Sequence, residues 1–348
     1  MSRQLLLLAS FIVAPIASAQ DEAQKPERPR PFAKLFGKKD AATENMVVKR
    51  DVVYTKMEGV APKLHSLDVY MPKPKSGDDT PTANQRAEKH PILVMIHGGG
   101  WRNGDKTNPG VVEEKAQFFT AHDYVFISIN YRLSPDHLHP AHIEDVAAAV
   151  AFVYRHATEY GADPDNLFVM GHSAGAHLAA LVSVDERRLG AHQLPLSVIK
   201  GAILLDGAAY DVPESMKILP PNNPLRKLYL GAFGDDPKSW ADASPITHVG
   251  KNKSIPPFLA FYTGGRVLAS SIGESLIEKL KGCGVAARLV ESADQSHGEI
   301  NSEFGTEGDM VTRETMAFLD ALLAPITATK ARGIEADSTE PKKAPRDV

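Results

Sequence analysis

The chain has a single cysteine, Cys283, so it cannot close an internal disulfide. The closely spaced cysteine and histidine pairs that hold zinc are absent, and the 13 histidines are scattered. We therefore expect no metal and no other cofactor. One local group of histidines, His137, His139 and His142, is interpreted as part of a solvated loop, with a metal site as the alternative.

The chain also lacks a strong excess of either charge. Its 39 Lys and Arg residues and 43 Asp and Glu residues give a formal net charge of −4. Such a balance gives no reason to expect nucleic acid or an anionic membrane surface as a partner. A hydrophobic fraction of 43% over 348 residues suits one large globular domain or two small ones.

The apolar run near the N-terminus is too short to cross a bilayer comfortably. Residues 5–16 are largely apolar, Arg3 precedes them, and Ala17-Ser18-Ala19 follows. This order predicts a secretory signal peptide over residues 1–19, cleaved after Ala19. We expect a secreted or periplasmic protein with no integral membrane span after cleavage, the alternative being an uncleaved anchor.

Composition divides the remaining chain into three parts. Residues 20–45 are rich in Pro, Lys and Arg and are predicted to form a flexible linker. Residues 326–348 have few large apolar groups and are predicted to form a disordered tail. Residues 46–325 form the predicted α/β domain. Within it, residues 211–250 carry six prolines and are predicted to form a small cap or a long loop with two short helices.

Hydrophobic patterns in the central part alternate between strands and helices. The predicted strands are 47–56, 65–71, 92–96, 124–129, 167–170, 200–205, 258–262 and 286–291. The predicted helices are 111–122, 143–160, 174–184, 271–281 and 309–323. This alternation favours a mostly parallel central sheet with helices on both faces. Ligands of such sheets bind at the carboxyl ends of the strands.

Residues Gly171 to Gly175 have the order G-x-S-x-G and lie between a predicted strand and a predicted helix. In this context the pentapeptide is typical of a sharp turn that exposes the serine hydroxyl above a sheet. Ser173 is therefore the candidate nucleophile. The next amide, that of Ala174, begins the helix and is a candidate donor to a developing negative charge.

A glycine-rich segment, His97 to Trp101, follows another predicted strand. Acyl transfer requires stabilisation of the oxyanion of a tetrahedral intermediate, and fixed backbone N–H groups provide it without reorganising. Glycine allows the backbone to approach a substrate that closely. The segment is therefore predicted to supply oxyanion donors, the alternative being an ordinary turn after a strand.

Taken together, these segments resemble the α/β-hydrolases of the esterase and lipase group that carry an HGGG motif, in the hormone-sensitive-lipase-like and feruloyl-esterase-like branch. The matching segments are His97 to Trp101, Asn130 to Pro135, His139-Pro140 with Glu144-Asp145, Gly171 to Gly175, and His297-Gly298. They occur in the family's order and span roughly residues 46–325. The resemblance implies the α/β-hydrolase fold.

The resemblance also implies roles for particular residues. Gly99 and Gly100 are the expected oxyanion donors, together with Ala174. Asp145 and Arg132 are expected to form a scaffold pair. Trp101 and Tyr131 are expected to line or support the pocket; Trp101 could stack on a sugar or an aromatic acyl group, with core packing as the alternative.

His297 is the candidate general base, because it lies between the last predicted strand and the last predicted helix. A chain order with the serine first and the histidine last fits this fold. The rival histidines are His172 and His177, which both lie near Ser173. His177 is expected to pack against neighbouring strands.

The acid that should orient the histidine is missing from its usual place. Similar hydrolases carry it just after the strand at 258–262, where residues 263–270 contain no carboxylate. Asp206 is the preferred replacement, because it ends the strand that follows the nucleophile strand. Glu274 and Asp294 are alternatives, as is a site with no acid. Asp206 could instead cap the following turn.

The sequence thus predicts a secreted serine carboxylesterase that hydrolyses a small-molecule or polysaccharide ester, with a short acyl group or a carbohydrate-linked one. The alternative is a non-catalytic binding protein of the same fold that has lost the triad acid. The identity of the ester and the oligomeric state stay open.

Overall fold

The computed structural model describes residues 46–73 and 89–324. The predicted signal peptide, the linker at 20–45 and the tail at 326–348 lie outside the described residues. In the part that is described, no helix combines the length and the apolar character needed to cross a membrane.

Eight strands form a single sheet in the order β1-β2-β4-β3-β5-β6-β7-β8. The strands are β1 Met46–Val53, β2 Ser66–Pro72, β3 His90–Ile96, β4 Val125–Ile129, β5 Ala162–His172, β6 Ile199–Leu205, β7 Phe258–Thr263 and β8 Ala287–Ser292. β2 is antiparallel to both β1 and β4, whereas the strands from β4 to β8 pair in parallel. The predicted mostly parallel sheet is therefore confirmed.

Helices cover both faces of this sheet. They are α1 Pro109–Ala121, α2 Ala141–His156, α3 Ala174–Val184, α4 Glu186–Gly190, α5 Val212–Ile218, α6 Pro224–Phe233, α7 Pro237–Ala243, α8 Pro245–His248, α9 Val267–Gly282, α10 Glu299–Ser302 and α11 Met310–Leu323. Because successive side chains of a strand point to opposite faces, Ile92, Val94 and Ile96 of β3 lie in one core. Leu93 and Met95 lie in the other.

The cap segment (residues 211–250) holds four short helices, α5 to α8, rather than the two expected. Each of these helices has a proline in its first two positions. Proline suits the first turn, because its fixed φ is helical and the missing N–H has no partner there. Asp211, Asn223 and Asp236 add side-chain caps to α5, α6 and α7. Several of the prolines that interrupt the hydrophobic pattern of the sequence therefore lie at the beginning of helices.

The predicted scaffold pair is present. The Arg132 guanidinium donates from Nε to Asp145 Oδ2 at 2.8 Å and from Nη2 to Asp145 Oδ1 at 2.7 Å. Two parallel charge-assisted bonds of this kind fix both side chains. They join the segment after β4 to α2.

Candidate active site

Ser173 lies in a strained turn between β5 and α3. Its backbone has φ 55° and ψ −118°, a conformation that costs a non-glycine residue about 1–3 kcal/mol. A Cβ on Gly171 would lie 2.1 Å from the carbonyl oxygen of Gly175, and one on Gly175 would lie 2.1 Å from that of Ile96. Both glycines are therefore required by close packing of the turn on itself and on the end of β3.

The structure brings Ser173, His297 and Asp206 into one chain of contacts. Ser173 Oγ is 3.0 Å from His297 Nε2, and His297 Nδ1 is 2.7 Å from Asp206 Oδ2. The three residues follow β5, β8 and β6, whose carboxyl ends lie on one edge of the sheet. Glu274, within α9, and Asp294 are both exposed. In the part of the chain that the structure describes, neither of the two forms a hydrogen bond or an ion pair with the His297 ring.

Asp206 is fully buried and is held on several sides. Its carboxylate accepts hydrogen bonds from the Thr263 hydroxyl at 2.8 Å and from an Arg266 guanidinium nitrogen, Nη1, at 2.5 Å. Burial raises the pKa of this carboxyl, but the bond to His297, the charge of Arg266 and the bond from Thr263 outweigh it and lower the pKa to about 2. The group is thus an anion near neutral pH, as an acid that orients an imidazole must be.

Arg266 was not predicted from the sequence as a residue of the site. Its Nη1 lies 2.7 Å from His297 Nδ1 and donates to the backbone oxygen of Asp206 at 3.2 Å. Only an indirect indication of its role was present in the sequence. Arg266 lies in the segment 263–270, where similar hydrolases carry the acid and this chain has no carboxylate. The structure therefore places a cation beside both His297 and Asp206.

The two rival histidines have structural roles. His172 Nε2 lies 2.7 Å from the backbone oxygen of His297. Burial and the nearby His297 lower the pKa of His172 to about 3, so the neutral ring donates to that oxygen and holds the loop. His177 Nε2 lies 2.7 Å from the Ala243 oxygen. Burial lowers its pKa to about 3 as well.

The glycine-rich loop from His97 to Trp101, here called the oxyanion loop, is fixed by its own backbone. Asn103 N–H donates to the Gly99 oxygen at 2.9 Å, and Tyr131 OH donates to the His97 oxygen at 2.9 Å. A Cβ on Gly99, where φ is +112°, would lie 2.2 Å from the Asn103 oxygen. This turn therefore requires glycine.

The predicted oxyanion donors are free to bind a ligand. In the described part of the chain, the N–H groups of Gly99, Gly100 and Ala174 have no hydrogen-bond acceptor. The preceding Gly98 packs directly on the nucleophile turn, since a Cβ there would lie 3.1 Å from Ser173 Cβ. The loop and the start of α3 thus lie side by side, as donors to one oxygen must.

Trp101 is buried in the core, which was the alternative to its predicted role in binding a substrate group. Its side chain is 3% exposed. The indole N–H donates to His177 Nδ1 at 3.2 Å, and the ring packs edge-on against Tyr229 and Phe233 of α6. Trp101 therefore supports the oxyanion loop from behind and ties it to the cap segment.

A cavity of about 190 Å³ adjoins the oxyanion loop. Gly100 and Arg102 form one side, the turn at Ser134 and Pro135 a second, and α6 a third. The residues of α6 that line it are Pro224, Lys227, Leu228 and Gly231. The cap segment therefore forms one wall of this cavity.

The three histidines at 137–142 were interpreted from the sequence as part of a solvated loop. The side chains of His139 and His142 are buried, whereas His137 is half-buried in a turn with exposed neighbours. His142 is fully buried, with Nε2 3.1 Å from the Ser134 hydroxyl. His139 Nε2 lies 2.8 Å from Asp242 Oδ2. The two rings thus have different partners and do not converge on a common point for a metal.

One other group of described residues, Asp185, Asp242 and His248, could offer three metal ligands within 4.8 Å of one another. Arg187 and Arg188 each pair with both carboxylates at 2.5–2.9 Å. The two guanidinium groups already neutralise the cluster. We therefore interpret it as an ion-pair network that joins α4 to α7.

Known proteins that are similar to this chain include ester hydrolases and esterases. The BD-FAE family model matches residues 67–264. A probable carboxylic ester hydrolase of Mycobacterium tuberculosis, LipM, is 29% identical over 70% of this chain and 56% of its own length. The chain spans about half the length of the curated relatives it matches.

Solved structures share the fold. A truncated carbohydrate esterase from gut microbiota superposes with a TM-score of 0.64 at 20% identity, covering 80% of this chain and 96% of that one. Thermogutta terrifontis esterase 2 with butyrate bound gives a TM-score of 0.57 at 24% identity, and the match covers 81% of this chain and 94% of that one. Since the family model covers more than half of the chain, the protein belongs to the BD-FAE family of α/β-hydrolases.

Proposed function

We propose that the protein is a serine carboxylesterase. The observation that carries this proposal is the chain of contacts from Ser173 Oγ through His297 to Asp206, with distances of 3.0 and 2.7 Å. A serine becomes a nucleophile at neutral pH only when a positioned base takes its proton. The names of the relatives, which are ester hydrolases and esterases, support the same reaction class.

The geometry supports an acyl-enzyme mechanism. His297 Nε2 takes the proton from Ser173 Oγ as that oxygen attacks the ester carbonyl carbon. Asp206 holds the proton on Nδ1 and stabilises the imidazolium that forms. The amides of Gly99, Gly100 and Ala174 donate to the oxyanion. His297 then protonates the leaving alcohol, and water attacks the acyl-enzyme with His297 again as the base.

The cavity beside the oxyanion loop borders Gly100, a proposed oxyanion donor, whereas neither Ser173 nor His297 lines it. This neighbouring cavity supports small groups in the ester through its size. At about 190 Å³ it is below the range of roughly 300–1,000 Å³ that holds drug-sized ligands. A structural neighbour binds butyrate and another is a carbohydrate esterase. The proposed substrate is therefore an ester with a short acyl group, either on a small alcohol or on a carbohydrate.

The alternative, a binding protein without catalysis, rested on a missing acid. Asp206 Oδ2 lies within hydrogen-bond reach of His297 Nδ1, so that argument no longer supports the alternative. The strained backbone at Ser173 also favours chemistry, because backbone strain of this kind clusters at active sites.

Hydrolysis of p-nitrophenyl esters tests the proposed function. We expect the protein to turn over the acetate and the butyrate, and to lose most of its kcat/KM with octanoyl and longer chains. Ser173→Ala should reduce the rate to the uncatalysed background. Ser271→Ala, at an exposed position on α9, is the matched control. Equal rates for the wild type and Ser173→Ala would contradict the proposal, and a preference for long chains would contradict the substrate class.

We also propose that the protein is exported. The support is the basic, apolar and small-residue order of residues 1–19, which lies outside the described residues. N-terminal sequencing of protein recovered from the periplasm or the medium should begin near Gln20. A cell-associated chain that begins at Met1 would contradict export.

A further inference from the structure

Arg266 contacts both of the groups that carry charge in the proposed mechanism. Its Nη1 lies 2.5 Å from Asp206 Oδ2 and 2.7 Å from His297 Nδ1. His297 Nδ1 itself lies 2.7 Å from the same carboxylate oxygen. Three atoms, one from each side chain, therefore form a closed triangle. The Arg266 side chain is 33% exposed, whereas that of Asp206 is fully buried.

The chemistry of the three groups determines what this triangle can do. A guanidinium only donates hydrogen bonds and keeps its proton throughout the working pH range of an enzyme. Arg266 therefore donates hydrogen bonds to two acceptors of Asp206, the carboxylate oxygen Oδ2 and the backbone oxygen. These bonds hold the carboxylate in place. A second donor, the imidazole Nδ1–H, reaches the same oxygen. The position of the carboxylate under His297 thus depends on Arg266.

The positive charge has a separate consequence. Asp206 alone would favour the protonated, cationic form of His297, because an opposite charge within 4–6 Å favours the charged state. Arg266 cancels much of that field and repels an imidazolium at close range. A neutral imidazole is the form that can accept the serine proton, so the arginine favours the form of His297 that is competent in catalysis.

We propose that Arg266 is a positioning residue that anchors the Asp206 carboxylate beneath His297 and extends ester hydrolysis toward acidic pH by disfavouring the imidazolium. This inference rests on the proposed serine-esterase function. It gives the turn before α9, where Arg266 lies, a role in setting the pH range over which the enzyme is active.

One other titratable ring packs against His297, and further charged groups lie in its loop and on neighbouring elements. His172, at the end of β5, has its ring centre 4.6 Å from that of His297, and its pKa of about 3 keeps it neutral. In the loop of His297 itself, Asp294 is exposed and Glu299 accepts from Ser296 N–H at 2.8 Å. Burial lowers the pKa of Lys115, which holds the Asn301 backbone oxygen, to about 7. These groups are unchanged in Arg266 variants, so differences between pH profiles report on Arg266.

The test compares kcat/KM for p-nitrophenyl acetate between pH 6 and 8.5. Arg266→Gln removes the charge, and Arg266→Lys keeps it without the planar fork. For Arg266→Gln we expect the acid limb of the kcat/KM profile to move up by about one pH unit, which is a roughly tenfold loss of kcat/KM on the acid side. We also expect the plateau value of kcat/KM to fall about three- to tenfold. Arg266→Lys should keep the limb near that of the wild type and lower only the plateau. Arg288→Gln breaks an exposed ion pair to Glu314 and should match the wild type.

Two results would overturn the role of Arg266. One is a profile of Arg266→Gln that coincides with the wild type, and the other is a loss by the same factor at every pH, which would indicate a purely structural role. Arg266→Met, which keeps an apolar stem, repeats the test if the Gln variant does not fold by circular dichroism. A wild type without any turnover would overturn the proposed function itself, and so the two failures are distinguishable.

Discussion

Asp206→Asn should lower kcat for p-nitrophenyl butyrate by about 10³- to 10⁴-fold with little change in KM, since loss of the equivalent acid in a serine protease costs about 10⁴. An asparagine cannot stabilise the imidazolium, and its amide can hold the imidazole in the wrong tautomer. In this protein the change also leaves Arg266, 2.7 Å from His297 Nδ1, without its counter-charge. We therefore expect a loss at the upper end of that range.

The two other carboxylates considered from the sequence provide the controls. Glu274→Gln and Asp294→Asn change exposed side chains that, in the described part of the chain, form no hydrogen bond or ion pair with the His297 ring, so each should stay within about twofold of the wild type, as surface substitutions usually do. If Asp206→Asn kept kcat within tenfold, or if Asp294→Asn lost most of it, the assignment of Asp206 as the acid would be wrong.

The free energy of unfolding should fall steeply as the pH drops below 6.5. Burial lowers the pKa of His97 to about 4 and those of His142, His172 and His177 to about 3. In the unfolded chain these groups take up protons near pH 6.5. Below that pH the unfolded state therefore binds up to four more protons than the folded state.

Linkage gives the size of this effect. Each such histidine contributes about 1.4 kcal/mol per pH unit, so four contribute about 5.6 kcal/mol per unit below pH 6.5. By pH 5.5 the total loss relative to pH 8 is about 6 kcal/mol, which is comparable with the 5–15 kcal/mol stability of a typical domain. The stability is present above pH 6.5 and is lost as the pH falls toward the folded-state pKa values.

Urea unfolding at pH 8, 7, 6 and 5.5 measures this slope. A variant with His142→Gln should lose about a quarter of it, because one proton-binding difference disappears. His122→Gln, at an exposed position, should leave it unchanged. Equal unfolding free energies at pH 8 and pH 6 would contradict the account of the buried rings.

Local patterns in the sequence were sufficient to predict those parts of the site that are formed by a single continuous segment. The elbow around Ser173 and the oxyanion loop each depend on glycines next to a strand end, and both are visible as strings of residues. Its place at the end of a strand made Asp206 the preferred acid over Glu274 and Asp294, but its contact with His297 depends on the adjacency of β6, β7 and β8 in the sheet.

Other contacts of the site join residues that lie far apart along the chain, and no local pattern predicts them. Arg266 and His172 contact atoms of His297, which lies far from both along the chain. Trp101 was expected to line or support the pocket, with stacking on a ligand and core packing as the alternatives. It is buried because α6 of the cap segment packs over it, and the position of α6 depends on the whole cap.

Covalent labelling tests the central claim most directly. A p-nitrophenyl alkylphosphonate with a short alkyl group resembles the tetrahedral intermediate and stays attached to an activated serine. Mass spectrometry should find one adduct per chain, on Ser173, and Asp206→Asn should slow its formation strongly. Absence of an adduct, or an adduct on another residue, would contradict the claim that Ser173, His297 and Asp206 form the working site.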